Sequence, residues 1–305
     1  MTEVRCLFDG HMMLAESPVW CPISNCLWWV NLVEPAGVFR LAWSQSAPDF
    51  WEAPEPVTGL ALTADDNVLV AGRSGLLRLN PRIGRYDMLI ALRGLDRPGN
   101  RCNEVGVDPK GRFWFSTMDD NLVHPEILPD AGALFCMEPD GSIRRAEQSF
   151  GIPNTLLWSN ANDRMFFGDT LRSTIYAYPF DAETGSLGER SIHRGPGDPG
   201  FPDGSAIDVN DTLWNARWDG GVLLGIDRRG DVVDTVAIPG GNVASACFAG
   251  EQFDILVVTT ACWGLDDQRR AAPLAGGIFA IEGLGKGRAQ LHYAGAIGSW
   301  NLKSE

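Results

Sequence analysis

The sequence lacks any run of about 18 consecutive apolar residues, the length that a helix needs to cross a membrane. Its first residues carry an acid and no apolar stretch of signal-peptide length, so we expect a cytoplasmic protein without a membrane partner. Acidic residues outnumber Lys and Arg by 39 to 25, which gives a net charge of −14. No basic cluster is present to offset phosphate repulsion, and this argues against a nucleic-acid partner.

The sequence also lacks the motifs that are typical of two common kinds of active site. The seven cysteines are an odd number without Cys-x-x-Cys spacing, so we expect reduced, buried thiols and no cysteine-bound zinc. No Gly-x-Ser-x-Gly motif occurs. The four histidines (His11, His124, His193 and His292) lie away from the recurring position described below, which disfavours Ser-His-Asp catalysis.

The residues that are abundant indicate strands and turns. Eleven Trp, 35 Gly and 19 Pro favour aromatic strands separated by turns over helices, which Gly and Pro break. One pattern recurs: a short apolar segment, a polar turn with Asp, Asn or Gly, then a hydrophobic strand. Its equivalent points are 41, 44, 52, 48 and 42 residues apart, at Trp29, Val70, Trp114, Phe166, Trp214 and Leu256.

Six units of this size fill the chain, and most continue into a further strand, as in residues 75–79 and 132–136. Repeated small sheets around an axis form a β-propeller. The sequence therefore predicts an all-β, six-bladed β-propeller, with residues 1–305 as a single domain. A pair of β-sandwiches is the alternative, which the regular period disfavours.

Four oxygen-bearing side chains occupy one position of the repeat. Glu16 lies 13 residues before Trp29, and the other three lie 11 or 12 residues before their own strand points (Asn103, Asn154 and Asp203). The starts of the innermost strands converge on a propeller axis, so these side chains are expected to meet there. Two carboxylates and two amides suit Ca²⁺, Mg²⁺ or Mn²⁺. A turn cap is the alternative role for each residue taken singly.

Longer motifs surround these positions: Glu16-Ser17-Pro18-Val19-Trp20, Arg101-Cys102-Asn103, Asp108-Pro109-Lys110-Gly111-Arg112, Thr117-Met118, Pro153-Asn154, Gly168-Asp169-Thr170 and Pro202-Asp203-Gly204. Together they resemble the gluconolactonase/regucalcin (senescence marker protein) family of six-bladed propeller lactonases, over nearly the whole chain. The chain departs from the family pattern at Asn103-Glu104-Val105, at Thr155 and at Asn31. These differences leave the metal set intact and the substrate open.

The resemblance implies a metal-dependent enzyme that hydrolyses a sugar lactone to the open-chain aldonic acid in carbohydrate catabolism. It implies one divalent ion (Ca, Mg, Mn or Zn) bound by Glu16, Asn154 and Asp203, with Asn103 beside it. It also implies that Arg101 and Asn103 contact the sugar. The lactone, the ion and the oligomeric state stay open.

Lactone hydrolysis requires a base and support for the oxyanion, and the residues suggest candidates. Asp203 is expected to accept the proton of the attacking water. Activation of the water by the metal without a protein base is the alternative. Arg101 is expected to hold substrate hydroxyls or the oxyanion, with pairing to an acid such as Glu104 as the alternative. Asp120 could bind hydroxyls from its loop, and Trp218 could stack on a sugar ring.

Two other functions remain open at this point. One is a phosphotriesterase or general esterase that uses the same metal site. The other is a non-catalytic calcium-binding regulator, for which Arg101 has no evident use, since a bare ion site needs no adjacent cation.

Overall fold

The computed structural model describes residues 3–123 and 126–299, and it is built almost entirely of strands. Six antiparallel sheets stand around one axis, so the predicted six-bladed β-propeller is confirmed. The first strand of each sheet is innermost, and these six strands contact one another in a closed ring. We call the face at which the innermost strands begin the upper face.

The strands follow the chain blade by blade. Blade 1 contains β2 (Ala15–Cys21), β3 (Cys26–Asn31), β4 (Gly37–Ala42) and β5 (Asp49–Glu52). Blade 2 contains β6 (Val57–Leu62), β7 (Val68–Gly72), β8 (Gly75–Asn80) and β9 (Arg85–Ala91). Blade 3 contains β10 (Asn100–Val107), β11 (Phe113–Asp119), β12 (Gly132–Met137) and β13 (Ile143–Phe150).

Blade 4 has one additional short strand: β14 (Pro153–Trp158), β15 (Arg164–Asp169), β16 (Thr174–Asp181), β17 (Ser186–Leu187) and β18 (Ser191–Arg194). Blade 5 contains β19 (Phe201–Ile207), β20 (Leu213–Trp218), β21 (Val222–Ile226) and β22 (Val232–Ala237). Blade 6 contains β23 (Asn242–Ala249), β24 (Ile255–Ala261) and β25 (Ile278–Glu282), with β1 (Glu3–Phe8) as its outer strand. Because β1 pairs with β25, the two ends of the repeat close the ring.

Buried aspartates build the lower-face turns that separate the first two strands of a blade. Asp108 accepts hydrogen bonds from the backbone N–H groups of Lys110 and Arg112 at 2.9 and 3.0 Å, and from the Trp114 indole at 2.9 Å. Asp208 caps its own turn in the same way. The Asp-Pro-x-Gly-Arg motif is therefore a structural turn, placed on the face opposite the strand starts.

Apolar side chains from adjacent blades pack against each other and form the core. Between blades 3 and 4, Trp114 meets Trp158 edge-on, with ring centroids 5.9 Å apart. Such aromatic pairs contribute about 0.5–1.5 kcal/mol beyond the area that they bury. All seven cysteines are free thiols and only Cys6 is more than marginally exposed, in agreement with the sequence prediction.

The chain after the last strand crosses the lower face, and we call residues 286–298 the C-terminal clasp. It forms hydrogen bonds with all six blades, through Pro18 and Trp20, Leu62, Gly111, Trp158, Val209 and Phe253. Residues 288–291 of the clasp line the lower end of an axial cavity of about 140 Å³. The clasp thereby covers the cavity from below.

Helices are nearly absent from the described residues: one α-helix, α1 (Asp267–Arg270), and one 3₁₀ turn at Ile297–Ser299. Neither of these approaches the length or hydrophobicity that a membrane crossing requires.

Candidate functional site

Every innermost strand carries a register shift close to its upper end. The extra residues lie between Glu16 and Val19, Val57 and Gly59, Cys102 and Val105, Asn154 and Leu157, Pro202 and Ser205, and Val243 and Ser245. Such bulges interrupt the pairing and redirect side chains. The four oxygen-bearing residues of the repeat all lie at these shifts, so the structure brings them to one level of the axis.

These side chains are well removed from bulk water. Asn154 and Asp203 are 8% and 5% exposed, and Arg101 is 3% exposed. Glu16 and Asn103 are half-buried. Blades 2 and 6 contribute Thr58 and Ala244 at the corresponding level, and neither adds a charge.

The amide of Asn154 has a defined orientation. Its Nδ2 donates to Thr170 Oγ1 at 2.8 Å, and the Thr170 hydroxyl donates to the Pro202 carbonyl at 2.6 Å. Because the only hydroxyl hydrogen of Thr170 is used on Pro202, Thr170 must accept from Asn154. The Asn154 amide nitrogen therefore faces Thr170, and its Oδ1 is left for a ligand near the axis.

Asn103 has the opposite arrangement. Its Oδ1 accepts from Arg101 Nη1 at 2.7 Å, and its Nδ2 donates to the Pro153 carbonyl at 2.7 Å. An arginine can only donate and a carbonyl can only accept, so this orientation is also fixed. The same Nδ2 lies 3.3 Å from Asn154 Oδ1. In this geometry Asn103 links Arg101 to Asn154, and its role as a metal ligand stays a prediction.

Arg101 is held on several sides. Nη2 donates to Asn121 Oδ1 at 2.7 Å, and Nε lies 3.7 Å from Asp120 Oδ1 without a hydrogen bond. Burial lowers the pKa of Arg101 to about 10, which leaves it charged at neutral pH. It does pair with an acid, as the alternative role required, but the partner is Asp120 and not Glu104. Sequence reasoning also did not assign Asn121 to Arg101.

Both carboxylate oxygens of Asp120 already accept hydrogen bonds. It is 4% exposed, and its Oδ2 accepts from Arg73 Nε at 2.6 Å while its Oδ1 accepts from the Leu122 N–H at 3.1 Å. The structure thus places Asp120 between two arginines, where it supports Arg101. A direct contact between Asp120 and a substrate hydroxyl stays a prediction.

Three carboxylates gather near the axis without a cationic partner. Burial and the proximity of the other acids raise the pKa values of Glu16 and Asp203 well above their ordinary range, and burial raises the pKa of Glu104 to about 7. Across the described residues, none of these three takes part in an ion pair. Buried carboxylates without a counter-charge destabilise a fold.

This donor set fits a divalent cation. Glu16 and Asp203 offer carboxylate oxygens, Asn154 offers an oriented amide oxygen, and all three are hard ligands. In the described part of the chain, no three His, Cys, Asp or Glu side chains form a metal-binding group by themselves. The amide of Asn154 is therefore needed to complete a three-ligand set. Glu104, which sequence reasoning did not assign, lies just below and lines the upper end of the axial cavity.

Aromatic residues border the site on blade 5. Trp218 is half-buried at the end of β20 and pairs in register with Phe201, which is 45% exposed and two residues from Asp203. The role of Trp218 as a stacking surface stays a prediction, and Phe201 was not identified from the sequence. Of the histidines, His193 lies on β18, an outer strand of blade 4, and His124 is outside the described residues.

Comparison with known proteins agrees with this architecture. Residues 14–262 match the model of the SMP-30/gluconolactonase/LRE-like region. Regucalcin of Xenopus laevis is 31% identical over 299 residues, covering 96% of this chain and 99% of that protein. Pentonolactonase XacC of Haloferax volcanii is 30% identical over 299 residues, covering 95% and 97%.

A solved structure extends the likeness to three dimensions. The calcium-binding protein regucalcin of Agrobacterium tumefaciens superposes with a TM-score of 0.88 at 28% identity, covering 95% of this chain and 97% of that one. The family model spans most of the chain, and it includes Glu16, Asn154 and Asp203. The chain belongs to the SMP-30/gluconolactonase/LRE-like family.

Proposed function

We propose that this protein is a divalent-metal-dependent hydrolase of sugar lactones, which releases the open-chain aldonic acid. The observation that carries the proposal is the pair of carboxylates, Glu16 and Asp203, which form no ion pair and lie at the same level of the axis as the oriented amide of Asn154. Family membership and the likeness to a pentonolactonase support the lactone as the substrate class.

Glu16, Asn154 and Asp203 are the residues that would hold the ion. A bound divalent ion supplies Lewis acidity, which polarises a carbonyl or acidifies a water. The absence of His and Cys from the set favours Ca²⁺, Mg²⁺ or Mn²⁺ over Zn²⁺, which prefers nitrogen and sulfur.

The remaining chemistry falls to side chains of this protein. Attack of water on the lactone carbonyl breaks one water O–H bond and forms a C–O bond. The Asp203 carboxylate accepts that proton and returns it to the ring oxygen as the ring C–O bond breaks. Arg101 uses two Nη1 hydrogens on Cys102 and Asn103 and one Nη2 hydrogen on Asn121, so its second Nη2 hydrogen remains for a substrate oxygen.

Hydrolysis of a panel of five- and six-membered sugar lactones, followed by proton release, tests the proposal. We expect turnover that disappears after exhaustive chelation and returns with Ca²⁺, Mg²⁺ or Mn²⁺. Aryl esters and phosphotriesters in the same assay separate a lactonase from a general esterase. Full turnover in protein shown by elemental analysis to be metal-free contradicts the proposal.

A calcium-binding regulator without catalysis is the second candidate. It is favoured by the likeness to a regucalcin described as a calcium-binding protein. This candidate predicts that the chain binds Ca²⁺ and hydrolyses none of the lactones. Substitution of Arg101 by Ala distinguishes the two, because a lactonase loses substrate affinity and rate while an ion site keeps its calcium.

A further inference from the structure

A buried arginine lies behind Asp203 on the neighbouring strand of blade 5. Arg217 is 1% exposed and donates three hydrogen bonds: from Nε to the Pro199 carbonyl at 2.9 Å, from Nη2 to the Gly200 carbonyl at 3.0 Å, and from Nη1 to Asn215 Oδ1 at 3.0 Å. No carboxylate of the described residues lies within ion-pair distance of it. Burial accordingly lowers its pKa. A buried cation whose partners are all neutral is costly, so its geometry requires an explanation.

Asn215 connects this arginine to the backbone of Asp203. Because Arg217 can only donate, the Asn215 Oδ1 must face it, and Nδ2 must face the other way. That Nδ2 lies 3.1 Å from the Asp203 carbonyl and 2.9 Å from Ser205 Oγ. Asn215 is 0% exposed, so water does not compete for these bonds.

The Asp203 carbonyl depends on such side chains because of the register shift. Between Pro202 and Ser205 the pairing of β19 with β20 is interrupted, and Asp203 has no partner in the ladder. Its carbonyl instead accepts from Asn215 and from the Thr155 hydroxyl of blade 4. Pro199 and Gly200, whose carbonyls Arg217 holds, lead directly into this segment.

We propose that Arg217 is a positioning residue for Asp203. It holds the chain before Asp203 through two backbone carbonyls and the carbonyl of Asp203 itself through Asn215. The role assigned to Asp203 rests on the proposed function. The planar guanidinium suits this role, since it presents donors to three acceptors in fixed directions, which a lysine ammonium cannot do.

Loss of the charge of Arg217 and loss of its hydrogen bonds should change the affinity for the divalent ion in opposite directions. This difference makes the proposal testable. Arg217 brings a positive charge toward a site for a cation, so removal of that charge alone strengthens ion binding. Loss of the positioning weakens it. Arg217→Met removes both the charge and the hydrogen bonds, whereas Arg217→Lys retains the charge and loses the planar fork.

Asn215→Asp supplies a second, independent variant. Its carboxylate still accepts from Arg217, which favours folding, but it has no N–H for the Asp203 carbonyl. The added negative charge alone strengthens cation binding, so weaker binding again indicates lost positioning. Arg112→Met is the control at the lower face, because Arg112 is a buried arginine that also donates to backbone carbonyls, although it pairs in addition with Asp108.

Calorimetric titration with Ca²⁺ and Mn²⁺, thermal unfolding and lactone kinetics are measured on all variants. We expect Arg217→Met, Arg217→Lys and Asn215→Asp to bind the ion about tenfold more weakly and to lose kcat. Arg112→Met should unfold at a lower temperature with unchanged ion affinity. Unchanged or tighter binding by folded Arg217 or Asn215 variants overturns the positioning role and leaves the proposed function intact. A wild-type chain that binds no divalent ion overturns the proposed function and this inference together.

Discussion

Substitution of Asp203 by Asn should stabilise the metal-free protein while it removes turnover. Asp203 is buried near Glu16 and Glu104 without an ion-pair partner, and its carboxylate accepts from the Gly204 N–H, a bond that an amide oxygen also accepts. Relief of an uncompensated buried charge contributes about 1–3 kcal/mol. For a chain of this size, roughly 2 °C of Tm corresponds to 1 kcal/mol, so the metal-free Tm should rise by about 2–6 °C.

Addition of the ion should reduce or reverse this difference in Tm. An ion at a hundred times its Kd stabilises the wild type by about 2.7 kcal/mol, and the variant, with a poorer ligand, gains less. Because an amide cannot accept the proton of the attacking water, kcat should fall by about 10²–10⁴-fold. Thermal unfolding in chelator and in saturating Ca²⁺ or Mn²⁺, together with lactone kinetics, measures all three effects.

Asp169 supplies the matched control for this experiment. It is equally buried, but it is paired with Arg172 and accepts from the backbone N–H groups of Gly151 and Ile152. Asp169→Asn should therefore lower Tm with or without the ion. A lower metal-free Tm for Asp203→Asn would refute the repulsion between the carboxylates. Near-native kcat in an ion-loaded Asp203→Asn variant would assign proton transfer to another group.

Three further experiments probe regions outside the set of candidate metal ligands. Cys102 is 0% exposed and packs between blades 2 and 3, away from Arg101, so Cys102→Ser should retain activity, and a folded but inactive variant would contradict this. Gln290→Ala removes two bonds from the C-terminal clasp to blade 1, which should lower Tm by about 2–4 °C and leave kcat unchanged; altered kcat at constant Tm would argue otherwise. Burial lowers the pKa of His193 to about 4, below its unfolded value of about 6.5, so the unfolded state binds the proton first. Stability should therefore fall from pH 6.5 toward pH 4, by at most about 2 kcal/mol at pH 5 because solvent screens the partly exposed ring, and a His193→Gln variant that unfolds with the same pH dependence would disprove this contribution.

Much of the architecture could be predicted because it is local and repeated. Each blade is a short unit in which Gly and Asp define the turns and alternating apolar residues define the strands, as around Asp108 and Trp114. Few folds other than a propeller are compatible with six such units at a nearly constant spacing. The pairing of β1 with β25 and the path of the C-terminal clasp were not predicted, because they join residues that are far apart in the chain.

The sequence by itself determined which oxygen-bearing residues reach the axis, since Asn103 and Asn154 occupy one position of the repeat. Only the tertiary structure decided how the two amides differ. Asn103 turns its oxygen to Arg101, while Asn154 turns its nitrogen to Thr170 and keeps its oxygen for a ligand. The physical reason is that an amide is oriented by partners that can only donate or only accept. In a propeller such partners come partly from the adjacent blade, some fifty residues away along the chain, as Pro153 does for Asn103.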